Sequence, residues 1–265
     1  MINPMDLTGK HIVITGASSG IGRATCVQAS KLGAKVSLIS RNEERLHETV
    51  SMMEGIGHSC YSFDLNEIDG INSLVKKIAD DNGSIDGLVH SAGIISDRPI
   101  KLDVPASVSA MMRIHYFSFV ELIRTLASLK KVVTPPRPSE NSDISNSSPI
   151  NCSCVGVSST TSVHGDKARG AYSAAKAAMN AVVHPYAKEL VSKGMRVNTI
   201  AFSMVDTGMY KDFLNVGGNN DRLLEKQYLG IIPLEYAANA ICFLLSDASK
   251  YMTGETLFYD GGSLS

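Results

Sequence analysis

The sequence predicts an α/β chain, a doubly wound parallel sheet of about seven strands with helices on both faces. Two observations carry this expectation. Short apolar runs alternate with helix-period segments along the 265 residues, as in a parallel sheet whose crossovers cover it. A glycine-rich turn also joins the first strand to the first helix. The length suits one domain, 1–265, and an apolar content of 44% is enough for a sizeable core.

Taken in order, 11–15 reads as a strand, 20–32 as a helix and 35–40 as the second strand. A helix over 41–54, a strand over 59–63 and a helix over 71–80 follow, the last with Val75 and Ile78 among its apolar positions. Strand 85–90 leads to a long helix over 107–131. Then come strand 155–158, helix 168–193, strand 196–202, helix 237–246 and strand 256–259. Ligands of such sheets bind beyond the carboxyl ends of the strands, near the point where the strand order reverses. No repeat and no second domain interrupts the series. The exception is an insertion, 132–151. Its stretch 134–149 is rich in Pro, Ser and Asn and reads as a solvated surface loop, with a partner-binding or site-flanking role as the alternative.

The net charge of −1 points to neither nucleic acid nor an anionic membrane. Residues 1–10 lack a charged segment followed by an apolar run, and no apolar stretch reaches membrane-spanning length. Cys26, Cys60, Cys152, Cys154 and Cys242 form an odd, scattered set that suits a reduced cytosolic setting. Cys152 and Cys154 make C-x-C without a second ligand pair, so strand packing is expected and no metal site.

The turn is Thr15-Gly-Ala-Ser-Ser-Gly-Ile-Gly22. Gly16, Gly20 and Gly22 allow close backbone approach to a pyrophosphate, and Ser18, Ser19 and Ile21 complete the turn. The helix behind it directs N–H groups and a positive dipole end at that anion. Arg23 assists the phosphates or is solvated. The spacing Gly-x-x-x-Gly-x-Gly resembles that of the short-chain dehydrogenase/reductase family. Later motifs appear in the family's order as far as Asp260-Gly-Gly262, and the ending resembles the 3-oxoacyl-carrier-protein reductase branch. The resemblance implies a Rossmann-type nicotinamide-dependent oxidoreductase acting on a small carbonyl compound or alcohol. It also implies a homotetramer or dimer built through the helices that carry the catalytic tyrosine and the central asparagine. Pro185 is expected to interrupt the first of these.

Ser40 and Arg41 stand where an NAD enzyme places a carboxylate on the ribose. A guanidinium pairs bidentately with a 2′-phosphate, which predicts NADP(H). By resemblance, Asp64, followed by Leu65, contacts adenine. Ser91-Ala92-Gly93 takes the place of Asn-Ala-Gly, which puts the bracing of that turn in question. Val205-x-Thr207 binds the nicotinamide carboxamide, although Phe202-Ser203 replaces the usual Pro-Gly before it.

Tyr172 and Lys176 lie four residues apart and share one helix face. A cation beside the phenol lowers its pKa and suits it to proton transfer. Ser159, thirteen residues earlier, matches the catalytic serine, with Ser158 as runner-up. The resemblance implies hydride transfer from nicotinamide to a carbonyl carbon, Tyr172 protonating the oxygen and Lys176 also holding the ribose. His115 stands where the family has its catalytic asparagine, either as a proton relay or as a packed core histidine. A lid over the substrate is expected across 203–230. It includes Met204, Met209, Tyr210, Phe213 and Leu214, with Gly217-Gly218-Asn219-Asn220 as a hinge. The competing reading is a non-catalytic NADP(H)-binding sensor or assembly subunit.

Overall fold

The computed structural model describes residues 3–130, 150–208 and 227–264. The stretch 134–149 and the lid residues Met209, Tyr210, Phe213, Leu214 and Gly217 to Asn220 lie outside the described residues.

Seven strands form one parallel sheet in the order β3-β2-β1-β4-β5-β6-β7. They are β1 His11–Thr15, β2 Lys35–Ser40, β3 Ser59–Ser62, β4 Gly87–His90, β5 Cys152–Ser159, β6 Met195–Phe202 and β7 Thr256–Tyr259. β5 starts three residues before the expected position because Cys152, Ser153 and Cys154 pair with Met195, Arg196 and Val197. Among the described residues, the α-helices are α1 Gly20–Lys31, α2 Glu43–Ser51, α3 Ile71–Asn82, α4 Pro105–Met112, α5 Ser118–Leu129, α6 Thr161–His164, α7 Gly170–Leu190 and α8 Leu234–Leu245.

Two apolar layers hold the sheet. Cys26 and Ala29 of α1, Leu46 of α2 and Ile241 and Leu244 of α8 pack on one face. Leu74 and Ile78 of α3, Phe119 and Leu122 of α5 and Met179 and Val183 of α7 pack on the other. Each large aliphatic side chain buried this way contributes about 1.5–3 kcal/mol before entropy is counted. Cys152 and Cys154 are buried in the second layer, and no metal-binding cluster of His, Cys, Asp or Glu occurs among the described residues. No described helix is long and apolar enough to cross a membrane.

Two helices depart from expectation. The long central helix changes pitch: α4 passes into a π turn over Arg113–Phe117 before α5 resumes, and Ser118 N–H bonds Arg113 O, five residues back. Such wide turns frequently mark functional sites. Pro185, expected to interrupt the catalytic helix, does not: α7 runs unbroken for 21 residues. Pro185 and Ala181, whose carbonyl loses its i+4 donor, both lie on the exposed face of the helix, where solvent can satisfy the orphaned carbonyl. Buried Val183 and Ala187 anchor the turns on either side.

The strand order reverses between β1 and β4. The carboxyl ends of these two strands carry the glycine turn and Ser91-Ala92-Gly93.

Candidate active site

The glycine turn is backbone-limited. Gly16 has φ +68°, and a Cβ there would stand 2.8 Å from Ala92 N. A Cβ on Gly22, in the first turn of α1, would collide with the Gly16 carbonyl. Ser18 and Ser19 form the crest, Ser19 is the N-cap residue without a side-chain cap bond, and Gly20 and Ile21 open the helix. This shape leaves the helix N-terminus presented to an anion, so the turn fits the pyrophosphate of a dinucleotide. Thr207 comes close from β6: its Cγ2 would be 3.6 Å from a Cβ on Gly20, which brings the 205–207 loop over the turn. Val205 is buried and bridges to Ile232.

Arg23 is half-buried between the turn and α2. Its guanidinium donates to Ser18 O, Thr49 Oγ1, Arg45 O and Glu48 Oε2, so it ties the turn to α2. At the end of β2, Ser40 Oγ bonds back to Asn42, and Arg41 is exposed at the rim. Beyond β3, Asp64 Oδ1 accepts from Asn66 N and Nδ2, and Leu65 is buried behind it.

The turn after β4 is braced without asparagine. Thr15 Oγ1 accepts from the backbone N–H groups of Ser91 and Ala92, both at 3.2 Å. With both lone pairs engaged, its own hydrogen goes to His90 Nδ1 at 3.0 Å. His90 is buried and stacks on Phe119. Sequence reasoning missed it, because one histidine in an apolar strand gives no signal beyond its own burial.

Tyr172 and Lys176 share one face of α7, as their spacing predicts. The Lys176 ammonium sits 5.6 Å from the Tyr172 ring centroid and donates to Val157 O at 2.7 Å. Burial pushes Lys176 down to about 7. The expected lowering of the phenol by Lys176 does not prevail. Burial raises the Tyr172 pKa, while the Ser159 hydroxyl and the Arg169 charge pull the other way.

Ser159 ends β5 beside this phenol, whereas the runner-up, Ser158, is buried and turned to Lys176 O. Thr161 supplies a feature the sequence did not announce. Its N–H and its hydroxyl both donate to Ser159 Oγ, at 3.3 and 3.1 Å. The Ser159 proton is thereby left to point outward as a donor.

His115 packs its ring edge on Tyr172, with centroids 5.4 Å apart. It occupies the space a Cβ on Gly93 would need, with Nδ1 2.8 Å from that position. Nε2 bonds Ile94 O at 2.8 Å, and because a carbonyl only accepts, Nε2 carries the hydrogen. Nδ1 is a bare, buried acceptor without a hydrogen-bond partner among the described residues. Burial, then the Lys176 charge, lowers the His115 pKa well below the ordinary imidazole value.

Phe202, in place of proline, completes β6 and packs edge-on against Tyr259 at 5.9 Å. Beyond it, buried Gln227 accepts from Met204 N–H and donates to Met204 O, both at 3.0 Å, so its amide copies a strand pairing. Glutamine in a polar stretch carries no sequence signal for this clasp.

The glycine turn at the sheet's switch point meets the Ser91–Gly93 turn, and His115 links Gly93 to Tyr172 with its neighbours Lys176 and Ser159, an arrangement that suits a dinucleotide-dependent oxidoreductase scaffold. The chain belongs to the short-chain dehydrogenase/reductase family: residues 16–263 match the family model described as enoyl-(acyl carrier protein) reductase. It is 30% identical to a 3-oxoacyl-[acyl-carrier-protein] reductase of Thermotoga maritima, over 97% of this chain and 99% of the relative. It is 28% identical to an L-xylulose reductase of Caenorhabditis elegans, over 97% and 96%. The solved structure of a short-chain glucose/ribitol dehydrogenase from Brucella melitensis superposes with a TM-score of 0.83 at 25% identity, covering 97% of both chains.

Proposed function

We propose that this chain is an NADPH-dependent reductase of a carbonyl compound, reversible as an alcohol dehydrogenase, working in the cytosol as a homo-oligomer. The observation that carries the reading is the grouping of Ser159, Tyr172 and Lys176, joined through His115 to Gly93 in the turn that packs on the glycine turn. A pure binding module has no use for a buried lysine against a phenol and a serine whose proton is set outward.

The bound nicotinamide supplies the hydride. Gly16 to Gly22 hold the pyrophosphate at the α1 N-terminus, and Ser40 and Arg41 receive the 2′-phosphate. Asp64 and Leu65 flank the adenine, Ser91 to Gly93 line the ribose side, and Val205 and Thr207 reach the carboxamide. Ser159 donates to the substrate oxygen and fixes it against Tyr172. Tyr172 gives its phenolic proton to that oxygen. Lys176, poised near neutrality by burial, replenishes the phenol's proton and holds the ribose. His115 serves this wall as a neutral acceptor rather than a titrating shuttle, because its protonation is pushed far down.

The test is an NADPH-oxidation screen across 3-oxoacyl thioesters, keto-sugars, quinones and ketosteroids, repeated with NADH. Turnover of at least one class with NADPH preferred is expected. Tight NADPH binding with no turnover of any class contradicts the reading and favours the sensor.

A further inference from the structure

We infer that His90 is a positioning residue that couples the cofactor side of the site to the π turn carrying His115. Its hydrogen bonds form a continuous path. Ser91 N–H and Ala92 N–H donate to Oγ1 of Thr15, the residue that ends β1 and opens the glycine turn, and Thr15 Oγ1 donates to His90 Nδ1 at 3.0 Å. On the other side of the ring, His90 Nε2 lies 3.2 Å from both Ile114 O and Ser118 Oγ. The carbonyl oxygen only accepts, so Nε2 carries the hydrogen and Nδ1 the lone pair, and every member of the path is satisfied by one tautomer.

The far end of the path is the irregular part of the central helix. Ile114 O accepts from the Ser118 hydroxyl at 2.6 Å as well as facing His90. These side chains take up a carbonyl beside the widened turn. The next residue is His115, whose ring fills the space over Gly93 and meets Tyr172. One imidazole, 1% exposed, therefore touches the base of the phosphate turn and the backbone that aims a side chain at the catalytic tyrosine. The ring is held neutral over the working pH range: burial, with Lys176 adding to it, pushes it down to about 3. A neutral imidazole keeps both limbs intact, because Nδ1 accepts only while it is unprotonated.

The inference rests on the reductase reading for its functional meaning but not for its test. Hydrogen exchange is followed in the full chain, first without nucleotide. His90→Phe keeps an aromatic ring on Phe119 and removes both limbs. The amides of 91–92 and of 113–118 are expected to exchange together, about tenfold faster, the size of losing one buried hydrogen bond. His90→Asn keeps an acceptor near Nδ1 and should loosen only 113–118. His90→Gln keeps a donor near Nε2 and should loosen only 91–92. These two variants carry the test if His90→Phe fails to fold. Added NADPH should then protect 113–118 in the wild type and do so at least threefold less in His90→Asn.

Loosening confined to one segment in His90→Phe overturns the coupling. So does the same pattern in His90→Asn and His90→Gln, or NADPH protection of 113–118 that His90→Asn leaves unchanged. If NADPH protects no segment of the wild type, the reductase reading fails instead, and the nucleotide-free exchange still decides whether His90 joins the two segments.

Discussion

The two walls of the site are built on different principles. The glycine turn is a backbone object: Gly16 and Gly22 leave no room for a Cβ, and the groups proposed to hold the pyrophosphate are N–H donors at a helix end. The catalytic wall is a side-chain object. In the proposed reaction Tyr172, Lys176 and His115, with Ser159 beside the phenol, would act through side chains whose protonation burial and neighbours shift. The difference teaches where each tolerates change. The turn should fail sterically and at every pH, whereas the wall should fail chemically and with pH dependence.

The largest effect of the steric kind is expected at Gly16. Gly16→Ala forces φ +68° on an alanine and drives its methyl onto Ala92 N. The backbone strain alone costs about 1–3 kcal/mol. NADPH Kd should rise by roughly a hundredfold, without pH dependence, in a fluorescence titration between pH 6 and 8. A wild-type Kd would break the backbone half of the comparison.

On the side-chain wall, Lys176 gives a signed pH effect. Its folded pKa is lowered from 10.5 to about 7, so between these values the unfolded chain binds the extra proton. Wild-type stability should therefore rise with pH through that window, by up to roughly 1.4 kcal/mol per unit. Below about 7 both states are protonated, and the folded state carries the full cost of the buried cation. Urea unfolding at pH 6.5, 7.5 and 8.5 should show this rise in the wild type and a flatter line in Lys176→Met. Parallel lines would mean that burial does not set the lysine's charge.

Two smaller effects sharpen the contrast. Arg41→Ala should lower kcat/KM for NADPH about tenfold and leave NADH unchanged, since one exposed charge-assisted contact is lost. Steady-state curves with both nucleotides read this directly. Thr161→Val removes the hydroxyl that turns Ser159 outward and should lower kcat only about threefold to tenfold. Thr161→Ser should restore it, and in a Ser159→Ala background Thr161→Val should have no further effect.

The same division explains what the sequence made legible. Glycine spacing announces the turn, because only residues without a Cβ satisfy it. Tyr172 and Lys176 are legible because helical period alone places them on one face. His90, Thr161 and Gln227 are not, because each acts through hydrogen bonds whose partners lie far along the chain or in a shape no period encodes. The π turn at 113–117 escaped for a related reason: one extra residue in a helical turn barely disturbs a pattern of period 3.6. Pro185 misled because a proline's cost depends on whether the carbonyl it orphans meets water, and the exposure of Ala181 is a property of the packed chain.

Tyr172 as proton donor is the claim on which the rest depends, and one paired measurement tests it most directly. NADPH Kd and kcat are determined for wild type and Tyr172→Phe with whichever carbonyl compound the wild type reduces. Unchanged Kd with kcat lower by about a hundredfold to ten-thousandfold is expected, the usual range for a lost general acid. Near-normal turnover in Tyr172→Phe would contradict the assignment.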